Sequence, residues 1–245
     1  MHGAFVSVGA MSTLQAPTRA ERAAQSILDP LTRTLLALTF TTGIVDGVSY
    51  LGLGRVFTAN MTGNVVLLGF GIAGSGGLPV LAPIVSLAAF LCGAGLGGRL
   101  AARLAGRHNR HVAAALAIEV VLIGAAAIFA ALVTVRVGGA SAVAVIAALA
   151  LAMGTRTATV RRIGVPDLST VVLTLTLTAL AAESRPAGGS GKGTTRRSTA
   201  VISMLAGAVT GALLVRTSVA LALAVAAVFA LLAGLAYLPA ARAMR

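Results

Sequence analysis

Hydrophobic and polar positions along this chain come in long blocks. Eight apolar segments stand out, at about 34–54, 58–74, 78–98, 112–135, 140–155, 166–182, 200–215 and 217–241. Leu78–Gly98 carries no charge in 21 residues, Ser218–Ala241 none in 24, and Val112–Val135 one acidic residue, Glu119, in 24. About 20 apolar residues in a helix cross roughly 30 Å of hydrocarbon. The pattern therefore predicts an all-α, polytopic membrane helix bundle, with residues 34–245 as a single membrane domain. Glu183–Thr199, rich in Gly, Ser and Arg, reads as a flexible loop. Met1–Arg33 reads as a disordered cytoplasmic tail, because no apolar core ending in a cleavage site precedes the first segment.

The two halves of the chain resemble each other. Gly43 and Asp46 precede Thr58 and Thr62, as Gly154 and Thr157 precede Thr170 and Thr174. Downstream, Gly93 and Gly97 in one half answer to Gly207 and Gly211 in the other. The offsets are 111, 112 and 114 residues, ordered along the chain. This predicts a duplicated unit of four segments, at about 34–135 and 145–241.

Positive charge decides how the units lie, because cytoplasmic loops carry an excess of Lys and Arg. Eight full spans would put ten Lys/Arg inside and nine outside, which is no bias. If 58–74 and 166–182 each enter and leave on one side, 16 fall inside and three outside: Arg55, Arg136 and Arg216. The expectation is six spans plus two re-entrant or broken helices, the second unit inverted on the first, with eight full spans as the alternative. Inverted repeats with interrupted helices near the midplane characterise transporters.

Composition agrees: 58% of residues are hydrophobic and 10% charged, with mean hydropathy +0.97, against about 25% charged in a soluble domain. The net charge of +13 does not point to nucleic acid, because the Arg residues cluster between apolar runs. Cys92 is the single cysteine, so no intrachain disulfide forms. His2, His108 and His111 fall in the tail or a loop, which leaves no metal set within the membrane. No nucleophile–base pair, phosphate loop or dinucleotide fingerprint appears, so no enzyme and no cofactor are expected.

The chemistry-bearing candidates lie in the polar segments. Asp46 is an intramembrane carboxylate, costly by about 2.5–3.5 kcal/mol on insertion scales. It fits a proton or cation site, or a structural carboxylate satisfied by its neighbours. Asn60 and Asn64, with Thr58 and Thr62, form i,i+4 pairs, read either as a pore lining or as interhelical hydrogen-bond glue. Gly63 between them would let a backbone or ligand approach closely. Thr170, Thr174 and Thr178 make the corresponding stripe, and Pro166 and Asp167 suit a helix start. Asp167 would be a cap or a gate. Arg156 closes the fifth segment and would either pair with Asp46 or snorkel to the cytoplasmic face. Glu119 would reach the cytoplasmic interface. Gly93/Gly97 and Gly207/Gly211 suit close helix packing.

The stretch from Gly43 to Asn64, and Val160–Thr170 with its continuation to Thr178, resemble the YoaK family of bacterial membrane proteins, a domain of unknown function. The resemblance covers roughly 34–240. That family carries Gln-Asn or Gln-Ser after the glycine matching Gly154. Here Thr155, Arg156 and Thr157 stand there, so no role of an amide pair carries over. The resemblance implies a polytopic membrane protein and no substrate.

The reading is a transporter or channel for a small solute in the bacterial plasma (inner) membrane, both termini cytoplasmic. Its pathway would be lined by Asp46, Asn60, Thr62, Asn64, Thr170 and Thr174, with coupling to protons through Asp46. The competing class is a non-transporting membrane scaffold or accessory subunit. The partners expected are the lipid bilayer, an unidentified small solute and a second copy in a homo-oligomer, with no nucleic acid.

Overall fold

A computed structural model describes residues 30–163 and 173–243 of the chain. Among them are eight α-helices and no strand. These are α1 Pro30–Gly52, α2 Met61–Ile72, α3 Leu81–Arg103, α4 His108–Leu132, α5 Ala140–Ile163, α6 Leu173–Ala182, α7 Thr194–Val215 and α8 Val219–Ala243. Six of them, all but α2 and α6, are long and apolar enough to cross a membrane. The helices α2 and α6 have 12 and 10 residues. At 1.5 Å per residue α2 reaches only about 18 Å, too short to span, and the described part of α6 about 15 Å.

The packing fixes the helix directions. The start of α1 (Leu35, Leu38) clusters with the end of α5 (Val160), while Ile44, Val45 and Val48 of α1 pack with Val145, Ile146 and Leu149 of α5. These two helices therefore run antiparallel. So do α4 and α8: Val112 and Leu116 meet Ala230, Ala233 and Tyr237, and Ile123 and Ala126 meet Ala222 and Leu223. In contrast, α1 runs parallel to α7, and α3 parallel to α5, as their glycine contacts rise in step. It follows that the chain leaves α1 and begins α3 at the same end of the bundle. Likewise it leaves α5 and begins α7 at the opposite end. Neither α2 nor α6 carries it across.

The two parallel crossings share one contact scheme. A Cβ on Gly207 would strike the carbonyl of Phe40, three residues before Gly43, and one on Gly43 the carbonyl of Met204, three before Gly207. At the other crossing, a Cβ on Gly93 would strike the carbonyl of Leu151, three before Gly154, and one on Gly154 that of Phe90, three before Gly93. One turn on, a Cβ at Gly211 would lie 2.6 Å from the Ile44 carbonyl oxygen and one at Gly97 2.7 Å from that of Thr155. Lipid tails are as apolar as the helices they surround, so burial gives little reason for two spans to associate, and close backbone approach through small residues replaces it.

Several boundaries differ from the sequence expectation, among them the end of α3 at Arg103 and the start of α4 at His108, which puts His108 and His111 in a helix. The first helix already covers Pro30 to Arg33, which the sequence reading places in the tail. Residues 1–29 lie outside the described ones. The fifth segment runs on from 155 to Ile163, because Arg156 finds partners inside the bundle and does not end the helix. The loop 183–199 is shorter, since α7 starts at Thr194. There Arg197 donates to the Ala179 carbonyl at 3.2 Å and to Glu183 at 2.6 Å, which gives the polar first turn its partners.

Candidate functional site

Two polar centres stand out among the described residues. The first is the connection from α1 to α2. Leu53, Val56, Thr58 and Ala59 are buried, so this non-helical stretch folds back into the bundle with backbone groups that must be satisfied there. Asp46 does part of this: its Oδ1 accepts from the backbone N–H of Thr58 at 3.0 Å and of Ala59 at 2.9 Å. Asn64 does the rest. Its Oδ1 accepts from the Phe57 N–H at 2.8 Å and its Nδ2 donates to the Phe57 carbonyl at 2.7 Å. Nδ2 also lies 3.1 Å from Ser86 Oγ, and that hydroxyl donates to the same carbonyl at 2.7 Å.

Asp46 and Asn64 are thus buried fasteners of the broken segment. Ser86 completes the set. No local pattern singles it out, although it is the one hydroxyl residue of α3. Asn60 caps α2, its side chain accepting from the Gly63 N–H at 3.2 Å. A Cβ at Gly63 would come within 2.9 Å of the Phe57 ring, so glycine lets the first turn of α2 lie on that ring.

A recess of about 640 Å³ opens over this turn. Asn60, Thr62 and Thr174 supply side-chain polar groups to it, and Tyr50, Phe57 and Phe90 the aromatic walls. Tyr50 and Phe57 stack at 5.0 Å. Thr62 of α2 and Thr174 of α6 are the residues related by the 112-residue offset, and the fold brings them to one recess. Thr170 and Asp167 lie outside the described residues. Thr178 is exposed and bonds its own helix at the Thr174 carbonyl, 2.9 Å away.

The second centre surrounds Arg156. Its Nη1 pairs with Glu119 Oε1 at 2.8 Å and donates to the Leu38 carbonyl at 3.1 Å; Nη2 donates to Thr42 Oγ1 and contacts Met153 Sδ. Both charged side chains are buried, 3% and 0% exposed. The expected partner, Asp46, is held by backbone N–H groups and does not pair with Arg156. Glu119 does not reach an interface, because it lies near the middle of α4 and faces α5. The register of α4 against α5 sets that pairing, which no local pattern announces.

The sequence profile of a family described as "Protein of unknown function (DUF1275)" matches residues 34–236. A curated relative, the UPF0700 transmembrane protein YoaK of Bacillus subtilis (strain 168), is 35% identical over 156 residues, 60% of this chain. The match spans 64% of that relative's length. No solved structure matches the chain. With six helices of spanning length and a transmembrane relative, the molecule is a multi-pass membrane protein.

Proposed function

The chain belongs to the DUF1275 family, whose description assigns no activity, and from that premise we propose that it carries a small solute across the bacterial inner membrane, as a transporter or channel. One observation carries this reading: two short helices, one from each half, contribute Thr62 and Thr174 to a common recess. Irregular backbone at membrane depth is tolerated where protein covers it or where it lines a cavity. The antiparallel pairing of α1 with α5 and of α4 with α8, and the exchanged glycine crossings, support an inverted repeat. In that arrangement a site between repeats can open alternately to either side.

Among the described residues, no charged side chain lines the recess. Neutral amide and hydroxyl groups beside aromatic walls suit an uncharged solute with an apolar face. Asp46 and Asn64 hold the floor in place.

The test is solute flux into liposomes containing the purified protein, followed by light scattering with a panel of uncharged solutes such as urea and glycerol. Flux above that of empty liposomes is expected. Thr62→Val is expected to lower it about fivefold, what one lost hydrogen bond of about 1 kcal/mol is worth, with folding unchanged. Asn64→Ala is expected to fail earlier, by loss of folded protein, since it strands the Phe57 backbone. Folded protein that moves none of the panel would favour a scaffold.

Orientation has its own test. In a Cys92→Ala background, a cysteine at Gly106, between α3 and α4, is expected to resist an impermeant thiol reagent in intact cells and react after lysis. Labelling from outside would reverse the assigned sidedness.

A further inference from the structure

The carboxyl of Glu119 is half used. Oε1 pairs with Arg156, while Oε2 is buried and takes no hydrogen bond, as is Nε of Arg156. Beside them is a cavity of about 20 Å³, bounded by Glu119, Arg156, Thr34 and Thr159 among apolar side chains. That is room for one water, which needs two or more polar partners; the polar residues of this wall are Thr34, Glu119, Arg156 and Thr159. The remaining lining, from Leu31 of α1 to Val112 of α4, leads toward the bundle end where those helices start.

Charge gives this geometry a purpose. Among the described residues, the mid-bundle holds Asp46, Glu119 and Arg156, two carboxylates against one guanidinium, all buried. An uncompensated charge in a low-dielectric interior is costly, and one proton removes it. Asp46 already accepts from two backbone N–H groups, whereas Oε2 of Glu119 takes no hydrogen bond, and Glu119 borders the water-sized cavity.

We propose that Glu119 is an intramembrane proton-binding site, supplied through this cavity from the end of the bundle where α1 and α4 begin. The proton binds Oε2 and the carboxylate becomes a neutral acid. Arg156 keeps the Leu38 carbonyl and Thr42 when its ion pair is neutralised, so protonation does not strand it. Thr42 is one turn before Asp46 on α1, and Asp46 holds Thr58 and Ala59 at the entrance to α2. A proton on Glu119 is thereby linked to the recess through one rigid helix. The use of that proton in driving solute rests on the transport reading; its binding does not.

The ionisable groups facing Glu119 are few. Arg156 comes from α5 and Asp46 from α1. His111, on α4 itself, approaches Thr159 Oγ1 at 3.4 Å. On α3, Arg99 and Arg103 are exposed at its far end. Among its described side chains α8 presents no charge.

Infrared spectroscopy of the full chain in phosphatidylcholine liposomes reads the proton directly. As pH falls, a high-frequency C=O band of a buried protonated carboxyl, set apart from those of the water-exposed carboxyls, is expected to grow in, to vanish in Glu119→Gln and to persist in Asp46→Asn. Glu119→Asp keeps a carboxyl at a different depth and is expected to shift the frequency and midpoint, which guards against a Gln variant that fails to fold. A band that survives unchanged in Glu119→Gln, one lost in Asp46→Asn, one unmoved in Glu119→Asp, or no titrating band in the wild type overturns the proposal. A normal band in a protein that moves no solute sinks only the transport reading.

Discussion

Arg156→Met is expected to destabilise the protein by about 3–5 kcal/mol, the usual cost of removing one partner from a buried ion pair. Glu119 is 0% exposed, so the variant leaves its carboxylate buried without its ion-pair partner. Solvent screening does not soften the loss, because both partners are enclosed. The Leu38 carbonyl and the Thr42 hydroxyl lose their guanidinium donor at the same time. The double variant Glu119→Gln/Arg156→Met is expected to recover most of the stability, since removing both charges also removes both desolvation costs. Unfolding of the purified protein in detergent, by heat or by SDS titration, measures both. Single and double variants that melt alike would mean that the pair contributes no charge–charge term.

Glycine crossings give the second large effect, and a matched control. At Gly93 and Gly207 a Cβ would meet backbone carbonyls, which cannot swing aside as a side chain tip can. Gly93→Ala and Gly207→Ala are each expected to cost about 1–3 kcal/mol, the range for overpacking a tight contact. The two are expected to agree closely, because the contact scheme is the same at both crossings. Gly95 and Gly98 lie on the same helix as Gly93, but an added Cβ at either would meet nothing within 4 Å. Alanine there is expected to change stability by less than about 0.5 kcal/mol. The same unfolding measurement separates the classes; a Gly95→Ala cost equal to that of Gly93→Ala would show that intrinsic helix effects, not the crossings, set the result.

What the sequence determined by itself is what depends on neighbours along the chain. Long apolar segments with little charge identify the membrane as their solvent, but length did not separate the six spans, because 140–155 and 200–215 are no longer than 58–74 and 166–182. The excess of Lys and Arg on one side separates the short polar segments 58–74 and 166–182 from the rest. The spacing of Gly93, Gly97, Gly207 and Gly211 points to sites of close approach. Tertiary structure alone decided who meets whom. Arg156 meets Glu119, 37 residues away, and the Leu38 carbonyl, 118 residues away, while Asp46 turns to a buried loop. From sequence, Asp46, Asn60 and Asn64 form one polar patch. In space Asn60 faces a recess, and Asp46 and Asn64 face inward to fasten Thr58, Ala59 and Phe57. The physical reason is that a buried polar side chain takes the partner its helix register offers. Register is set by the glycine crossings and helix directions together, across the whole chain.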